Sequence, residues 1–150
     1  MRFSLATAAL EDWSGDVLVI GLPQGDPSET AKTLEQRFQG IVSKLTQDRF
    51  KGSSKDKVVL NLLMEAGLQR LVVIGLGPAS LIDSEVLRQA SATAAKSAVG
   101  CSGSLGVLFP WPSAEPSEAC RVCAEAVRLS LYTDQRFRKE PEPRRLPESL

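Results

Sequence analysis

The sequence predicts an α/β domain with three layers, in which helices cover both faces of a mixed central sheet. Apolar, β-branched segments alternate along the chain with segments of helical periodicity, in the order strand, strand, helix, strand, strand, helix, strand, helix. The length of 150 residues is typical of one domain. Adjacent strands can pair antiparallel, whereas helical crossovers enforce parallel pairs, so we expect both kinds of pairing. A Rossmann unit fits this order less well.

Five segments have the character of strands. Residues 2–7 alternate apolar and polar side chains, which predicts a strand at an edge of the sheet. Residues 16–22 are apolar from Val17 onward, as expected of a strand that is covered on both faces. Residues 57–62 and 70–74 are separated by a short turn, and the second of them is predicted to be central. Residues 105–109 complete the sheet.

The first helix is predicted from its start signals and its apolar stripe. Asp26 is placed as the N-cap and Pro27 as the first helical residue. Apolar residues then recur at spacings of three and four as far as Leu45, which gives one face that can lie on the sheet. Gly40 is the candidate position for a break or kink in this helix.

Two more helices follow the same rules. Asp83 or Ser84 is predicted to cap the second, which has an alanine-rich face suited to close approach to a sheet and ends at Gly100. Pro116 opens the third helix, which ends near Tyr132.

Composition narrows the classes of function. Lys and Arg together number 18 and Asp and Glu also number 18, so there is no basic excess and nucleic acid is an unlikely partner. Residues 1–10 lack the apolar core of a signal peptide and cannot span a membrane, which predicts a cytoplasmic protein. Three cysteines are an odd number for a disulfide framework, so reduced thiols are expected.

The chain contains no histidine, which excludes the commonest kinds of catalytic site. Imidazole is the usual general base near neutral pH and the commonest metal ligand. Ser-His-Asp and Cys-His catalysis are therefore excluded, as are histidine-containing zinc sites. A zinc site made of cysteines alone needs four sulfurs, and the chain has three. We predict no catalytic and no metal-binding residue.

The best candidate for a ligand-binding loop is formed by Gly75, Leu76 and Gly77. It follows the predicted central strand, at the end where open α/β sheets often receive ligands on backbone N–H groups. It is only half of a dinucleotide-binding fingerprint, because Pro78 lacks an N–H and Ser80 stands where a third glycine would fall. The alternative is a plain turn.

Cys120 and Cys123 have the spacing of a redox or metal-binding pair. A reactive pair would use a helix N-terminus to depress a thiol pKa, but the predicted helix begins about one turn earlier, at Pro116. Both cysteines are therefore predicted to be small apolar residues of the core.

The composition of the C-terminal residues predicts a domain boundary. Residues 138–150 are charged and rich in proline and have no apolar period, which favours an extended interdomain linker or tail over packed structure. Residues 1–137 are then the folded domain.

Two stretches resemble the N-terminal domain of the leucyl (cytosol) aminopeptidase family, and the resemblance covers nearly the whole chain. The first runs from residues 50–52 into residues 71–77, which are similar to the family's loop and its "LVGLG" strand end. The second joins residues 124–129 to residues 132–139 and is similar to the helix and "YRFDRYK" segment that close this domain in the family.

The resemblance implies a macro-like α/β fold and a homohexameric parent enzyme. It also implies that a C-terminal catalytic domain of the same polypeptide releases N-terminal amino acids such as leucine, using two divalent metals, Zn or Mn. The family's metal ligands and its Asn-Thr-Asp-Ala-Glu-Gly-Arg signature belong to that catalytic domain, and nothing in this sequence matches them. The chain is then a non-catalytic domain that serves assembly and access to the active site.

Two other hypotheses stay open at this point. A stand-alone macro-like module could bind ADP-ribose or another nucleotide at the loop of residues 75–77, an idea that fold analogy alone supports. A thiol oxidoreductase could use Cys120 and Cys123, and it would need a depressed thiol pKa.

Overall fold

The computed structural model describes residues 1–4, 10, 12–25, 29–65, 67–111, 115–133, 136 and 145–150. In chain order its elements are β1 (Val17–Gln24), α1 (Glu29–Arg37), α2 (Ile41–Gln47), β2 (Lys57–Glu65), β3 (Leu68–Pro78), α3 (Ser84–Ala98), β4 (Gly103–Leu108), α4 (Pro116–Leu131) and β5 (Pro147–Ser149). A 3-10 turn, Ala79–Leu81, connects β3 to α3. Across these ranges no helix has the length and apolar character to cross a membrane.

The strands form one mixed sheet in the order β2-β3-β1-β4-β5. β1 runs parallel to both of its neighbours, β3 and β4, and β5 runs parallel to β4. β2 and β3 follow each other directly and pair antiparallel. The predicted mixed sheet is therefore confirmed. β3 is an interior strand, as expected, and β1 holds the centre.

Alternation along β1 separates two hydrophobic cores, one on each face of the sheet. Leu18 and Ile20 pack with residues of α1 and α2, among them Leu34. Val17 and Val19 point to the opposite face, because successive strand residues alternate, and they pack with residues of α3 and α4. Helices thus cover both faces of the sheet, and the three-layer α/β/α macro-like fold is confirmed.

The predicted break in the first helix is present. α1 ends at Arg37, and Gly40 adopts a left-handed conformation with φ 84° before α2 begins at Ile41. A residue with a Cβ rarely adopts this conformation, so glycine allows the chain to turn here. The predicted cap, Asp26, lies outside the described residues.

α3 and α4 begin where the sequence places them, and α3 ends at Ala98, two residues before the predicted end at Gly100. Asp83 caps α3, and its Oδ1 accepts a hydrogen bond of 2.9 Å from the Val86 N–H. The alanine face of α3 is fully buried, which confirms its close approach to the sheet; Ala94, Ala95 and Ala98 are all 0% exposed. α4 begins at Pro116 and ends next to Tyr132.

The C-terminal residues differ from the expectation of an unpacked tether. Pro147–Ser149 form β5, in which Pro147 lies opposite Gly103 and Ser149 opposite Ser104 of β4. On the other side of β5, Arg2 bridges Ser149. Local sequence pattern carries no signal for this strand, because backbone pairing with two distant segments creates it. The boundary proposed at residues 137 and 138 lies outside the described residues, as does the rest of the edge strand predicted after Ser4.

Candidate functional site

The glycine loop at the end of β3 is bonded to a turn of the same chain. The Gly75 N–H donates to the Asp56 carbonyl at 2.9 Å, and the Gly77 N–H donates to the Gly52 carbonyl at 2.8 Å. Leu76, between them, is buried, with 2% of its surface exposed. Two of the N–H groups that an anionic ligand would need are therefore already engaged.

Asp56 shapes the turn that covers this loop. Its Oδ2 accepts hydrogen bonds from the N–H groups of Lys51, at 2.7 Å, and Ser53, at 3.1 Å. The turn then lies so close to β3 that a Cβ at Gly75 would collide with the Ser53 carbonyl oxygen and the Gly52 backbone. The glycine thus serves close backbone packing. A ligand at residues 75–77 stays a prediction, which these hydrogen bonds do not favour.

The cysteine pair lies on α4, as predicted, and has the character of core residues. Cys123 is buried and Cys120 is half-buried. Burial raises the pKa of the Cys123 thiol, and the neighbouring Cys120 adds to this effect, while the Ser91 hydroxyl opposes it. The Ser91 oxygen has no hydrogen-bond partner of normal geometry within the described part of the chain. Its effect on the Cys123 thiol is therefore smaller than the effect of burial. A raised thiol pKa is the reverse of what thiol oxidoreductase chemistry requires.

The described residues contain no cluster of side chains that could bind a metal ion. Among the residues that the structure describes, no group of three or more Cys, Asp or Glu side chains comes close enough to hold a metal ion, and the chain has no histidine. The residues described do not fit the metal centre that the family resemblance implies for the catalytic domain. We therefore assign no metal-dependent step to this chain.

The structure adds a feature that the sequence analysis did not predict, an apolar groove beside β4. It encloses about 440 Å³, which falls within the size range of ligand pockets. Its walls come from the N-terminal residues, β1, β4, α4 and the C-terminal residue. They are Phe3, Ser4, Leu10, Trp13, Leu18, Leu105, Gly106, Val107, Leu108, Trp111, Cys120, Arg121, Cys123, Ala124 and Leu150.

Both tryptophans of the chain line this groove. Arg37 holds the Trp13 segment in place, since its Nη2 donates to the Trp13 carbonyl at 2.6 Å and its Nη1 donates to the Leu10 carbonyl. The only charged side chain on the described walls is Arg121, which pairs with Glu125 at 2.9 Å. The groove can therefore cover apolar groups, and it offers no nucleophile paired with a base. No local sequence pattern predicts the groove, because its walls come from segments that are far apart in the chain.

The mixed sheet, covered by helices on both faces, places the chain in the class of three-layer α/β domains. The comparison with known families is consistent with this class. Residues 17–141 match the sequence model of the cytosol aminopeptidase family, N-terminal domain. The chain belongs to this family and is its N-terminal domain.

Sequence matches to known proteins extend over the whole chain. It is 59% identical over 150 residues to a probable cytosol aminopeptidase of Synechococcus sp. (strain CC9605), in a match that covers 100% of this chain and 30% of the relative. A probable cytosol aminopeptidase of Synechococcus sp. (strain CC9902) is 55% identical, with 100% and 31% covered. The chain thus spans less than a third of the length of these relatives.

Solved structures share the fold. A mutant of tomato leucine aminopeptidase superposes with a TM-score of 0.79 at 22% identity, over 99% of this chain and 31% of that one. The bottromycin maturation enzyme BotP in complex with Mn gives a TM-score of 0.57 at 22% identity, over 83% and 24%. These comparisons support a domain of a longer aminopeptidase, and they do not support a stand-alone macro-like module.

Proposed function

We propose that this chain is the non-catalytic part of a metal-dependent leucyl aminopeptidase that works in the cytoplasm. In this proposal the polypeptide continues beyond Leu150 into a C-terminal domain, which binds two divalent metals, Zn or Mn, and releases N-terminal amino acids such as leucine. The N-terminal domain contributes to the assembly of a homohexamer and shapes access to the active site.

One observation carries the proposal. The whole chain matches probable cytosol aminopeptidases at up to 59% identity over the residues compared, yet it accounts for about 30% of their length. The proposal therefore places the catalytic residues for such a reaction in the larger part. The chain contains no histidine, the commonest metal ligand, and this composition also led us to place the metal ligands in the larger part.

The experiment compares two polypeptides on leucine p-nitroanilide. One is residues 1–150, and the other continues through the downstream reading frame; both are assayed with added Mn²⁺ or Zn²⁺ and again with a chelator. We expect metal-dependent hydrolysis by the longer polypeptide alone. Hydrolysis by residues 1–150, or no metal-dependent hydrolysis by the longer polypeptide, would overturn the proposal.

A further inference from the structure

The apolar groove follows an unpaired strand edge. β4 pairs with β1 along residues 105–108, but within the described residues its pairing with β5 ends at Ser104. All four residues from Leu105 to Leu108 line the groove. Successive side chains of a strand point to opposite faces, so a groove that touches four consecutive residues must run along the edge of the strand. No strand of the described residues pairs with the backbone groups on that edge, so they can accept another strand.

The direction of β5 leads the chain into this groove. β5 is parallel to β4, with Ser149 opposite Ser104. The register is irregular between the pairs at Gly103 and Ser104. If the pairing is regular from Ser149 onward, Leu150 lies beside Leu105, and the next three residues lie beside Gly106, Val107 and Leu108. At about 3.3 Å per residue, those three residues are enough to follow the open edge to its end.

Hydrogen bonds at Leu150 show which way the next residue faces. The Leu150 N–H donates to the Arg2 carbonyl at 2.9 Å, and the Leu150 carbonyl accepts from the Ser4 N–H at 2.8 Å. This is the parallel pattern in which one residue bonds a single neighbouring strand with both of its backbone groups. Backbone groups alternate along a strand, so the residue after Leu150 directs its N–H and carbonyl toward β4.

The side chains beside the edge of β4 determine which kind of segment can bind in the groove. Leu108 is 39% exposed and Phe3 is 37% exposed, while Trp111 is partly buried. Covering them would remove apolar surface from water at about 25 cal/mol per Å². An extended segment with apolar side chains could bond to the backbone of residues 105–108 and cover these walls.

We propose that the residues directly after Leu150 continue β5 along residues 105–108 of β4 and fill the apolar groove. This edge then anchors the catalytic part of the polypeptide to its N-terminal domain. The inference rests on the proposed function, in which the larger part of the enzyme follows Leu150. It deepens that function by naming the surface through which the two parts are joined.

Hydrogen exchange of the longer polypeptide tests the wild-type arrangement. We expect the amides of the first three residues after Leu150 to exchange at least 10-fold more slowly in the native protein than in urea, with protection similar to that of the β4 amides. We also expect Cys120, which lines the groove, to be alkylated at least 10-fold more slowly in the native protein than in urea.

A matched pair of variants on α4 locates the contact. Ala124 lines the groove, whereas Leu129 on the same helix is 74% exposed and lies outside its walls. Ala124→Trp fills part of the groove and is expected to speed exchange of the peptide after Leu150 by at least 10-fold, whereas Leu129→Trp leaves it unchanged. Exchange of residues 71–76 in β3 reports whether each variant stays folded. If Ala124→Trp unfolds the domain, hydrogen exchange of the wild-type protein tests the inference by itself.

Several outcomes would overturn the inference. One is exchange of the peptide after Leu150 as fast as in urea, and another is protection that rises with protein concentration, which would place a second copy in the groove. A small molecule retained in native mass spectrometry would also do so. The same sample is assayed on leucine p-nitroanilide, so the two proposals can fail separately. An active enzyme with an unprotected peptide refutes the inference alone, whereas a protected peptide without metal-dependent activity refutes the proposed function.

Discussion

Asp16 and Ser104 each donate a hydrogen bond to the other residue. The Ser104 N–H donates to the Asp16 carboxylate at 2.8 Å, and the Asp16 N–H donates to the Ser104 hydroxyl at 3.2 Å. Gln69 adds a third segment, because its side-chain amide donates to the same carboxylate at 2.9 Å. A single carboxylate thus joins the starts of β1, β3 and β4, and it aligns the sheet from which the open edge of β4 emerges.

Replacement of Asp16 by Ala should therefore destabilise the domain. Loss of the hydrogen bonds that the carboxylate accepts costs roughly 1–3 kcal/mol, since donors on two neighbouring segments lose a charged partner. The melting temperature should fall by about 2–4 °C for each kcal/mol in a domain of this size. Thermal unfolding measures the change, and Asp12→Ala at an exposed position is the control. Equal melting temperatures for the two variants would contradict the role of Asp16.

Gly75 and Gly77 should respond differently to a methyl group. At Gly75 the Cβ would meet the backbone of Gly52 and Ser53, so the turn must move, and Gly75→Ala should cost up to about 3 kcal/mol. At Gly77 the nearest atom lies 3.9 Å from the Cβ, and the cost arises from the left-handed backbone (φ 79°) at about 1–2 kcal/mol. Urea unfolding of both variants gives the order, and a larger loss at Gly77 would contradict this account of the loop.

A larger side chain on the face of α3 that contacts the sheet should lower the free energy of unfolding. Ala94 is 0% exposed, so Ala94→Leu overpacks the core and should cost roughly 1–3 kcal/mol. Ala92, on the same helix, is only half-buried, and Ala92→Leu is the matched control. Both free energies of unfolding can be measured in urea, and similar values for the two variants would show that the helix does not lie close to the sheet.

Glu35 should make part of the stability depend on pH. The backbone N–H groups of Val42 and Gly40 donate to its carboxylate, each at 2.8 Å, and they hold the pKa of Glu35 below its usual value of 4.5. Because the pKa is lower in the folded state, the stabilisation is complete above pH 4.5 and is lost as the pH falls through the folded pKa.

The test compares the wild type with Glu35→Ala at several pH values. The variant should melt at a lower temperature at pH 7, and the gap between the two proteins should narrow below pH 4.5. A gap that stays constant down to pH 3 would show that the carboxylate does not cap the start of α2.

The thiols on α4 should react slowly and at different rates. Burial raises the pKa of Cys123, so less of it is thiolate at neutral pH, and it should be alkylated more slowly than the half-buried Cys120. Mass spectrometry of peptides after iodoacetamide treatment at pH 7 gives both rates. Rapid alkylation of Cys123 in the folded protein would revive the thiol oxidoreductase hypothesis.

The sequence predicted those parts of the fold that local pattern determines. Asp83 and Pro116 mark helix starts because caps and proline act on the adjacent turn, and Gly40 marks a break because it alone readily takes a positive φ there. The continuously apolar run of residues 17–20 is explained by two sheet faces that are both covered.

Features built from distant residues could not be predicted in this way. β5 is three residues long and exists because it pairs with β4 on one side and with Arg2 on the other. The groove likewise needs the N-terminal residues, β4 and α4 to be assembled first. Likewise, only the turn at residues 51–56 shows why Gly75 is a glycine. Neither periodicity nor motif spacing contains this information.

The claim that this chain supplies no catalytic group is tested most directly by metal content. Residues 1–150 and the longer polypeptide are each loaded with Mn²⁺ or Zn²⁺, desalted, and analysed for metal per chain. We predict two metal ions per longer polypeptide and none retained by residues 1–150. One or more ions held by residues 1–150 would contradict the assignment of this domain as non-catalytic.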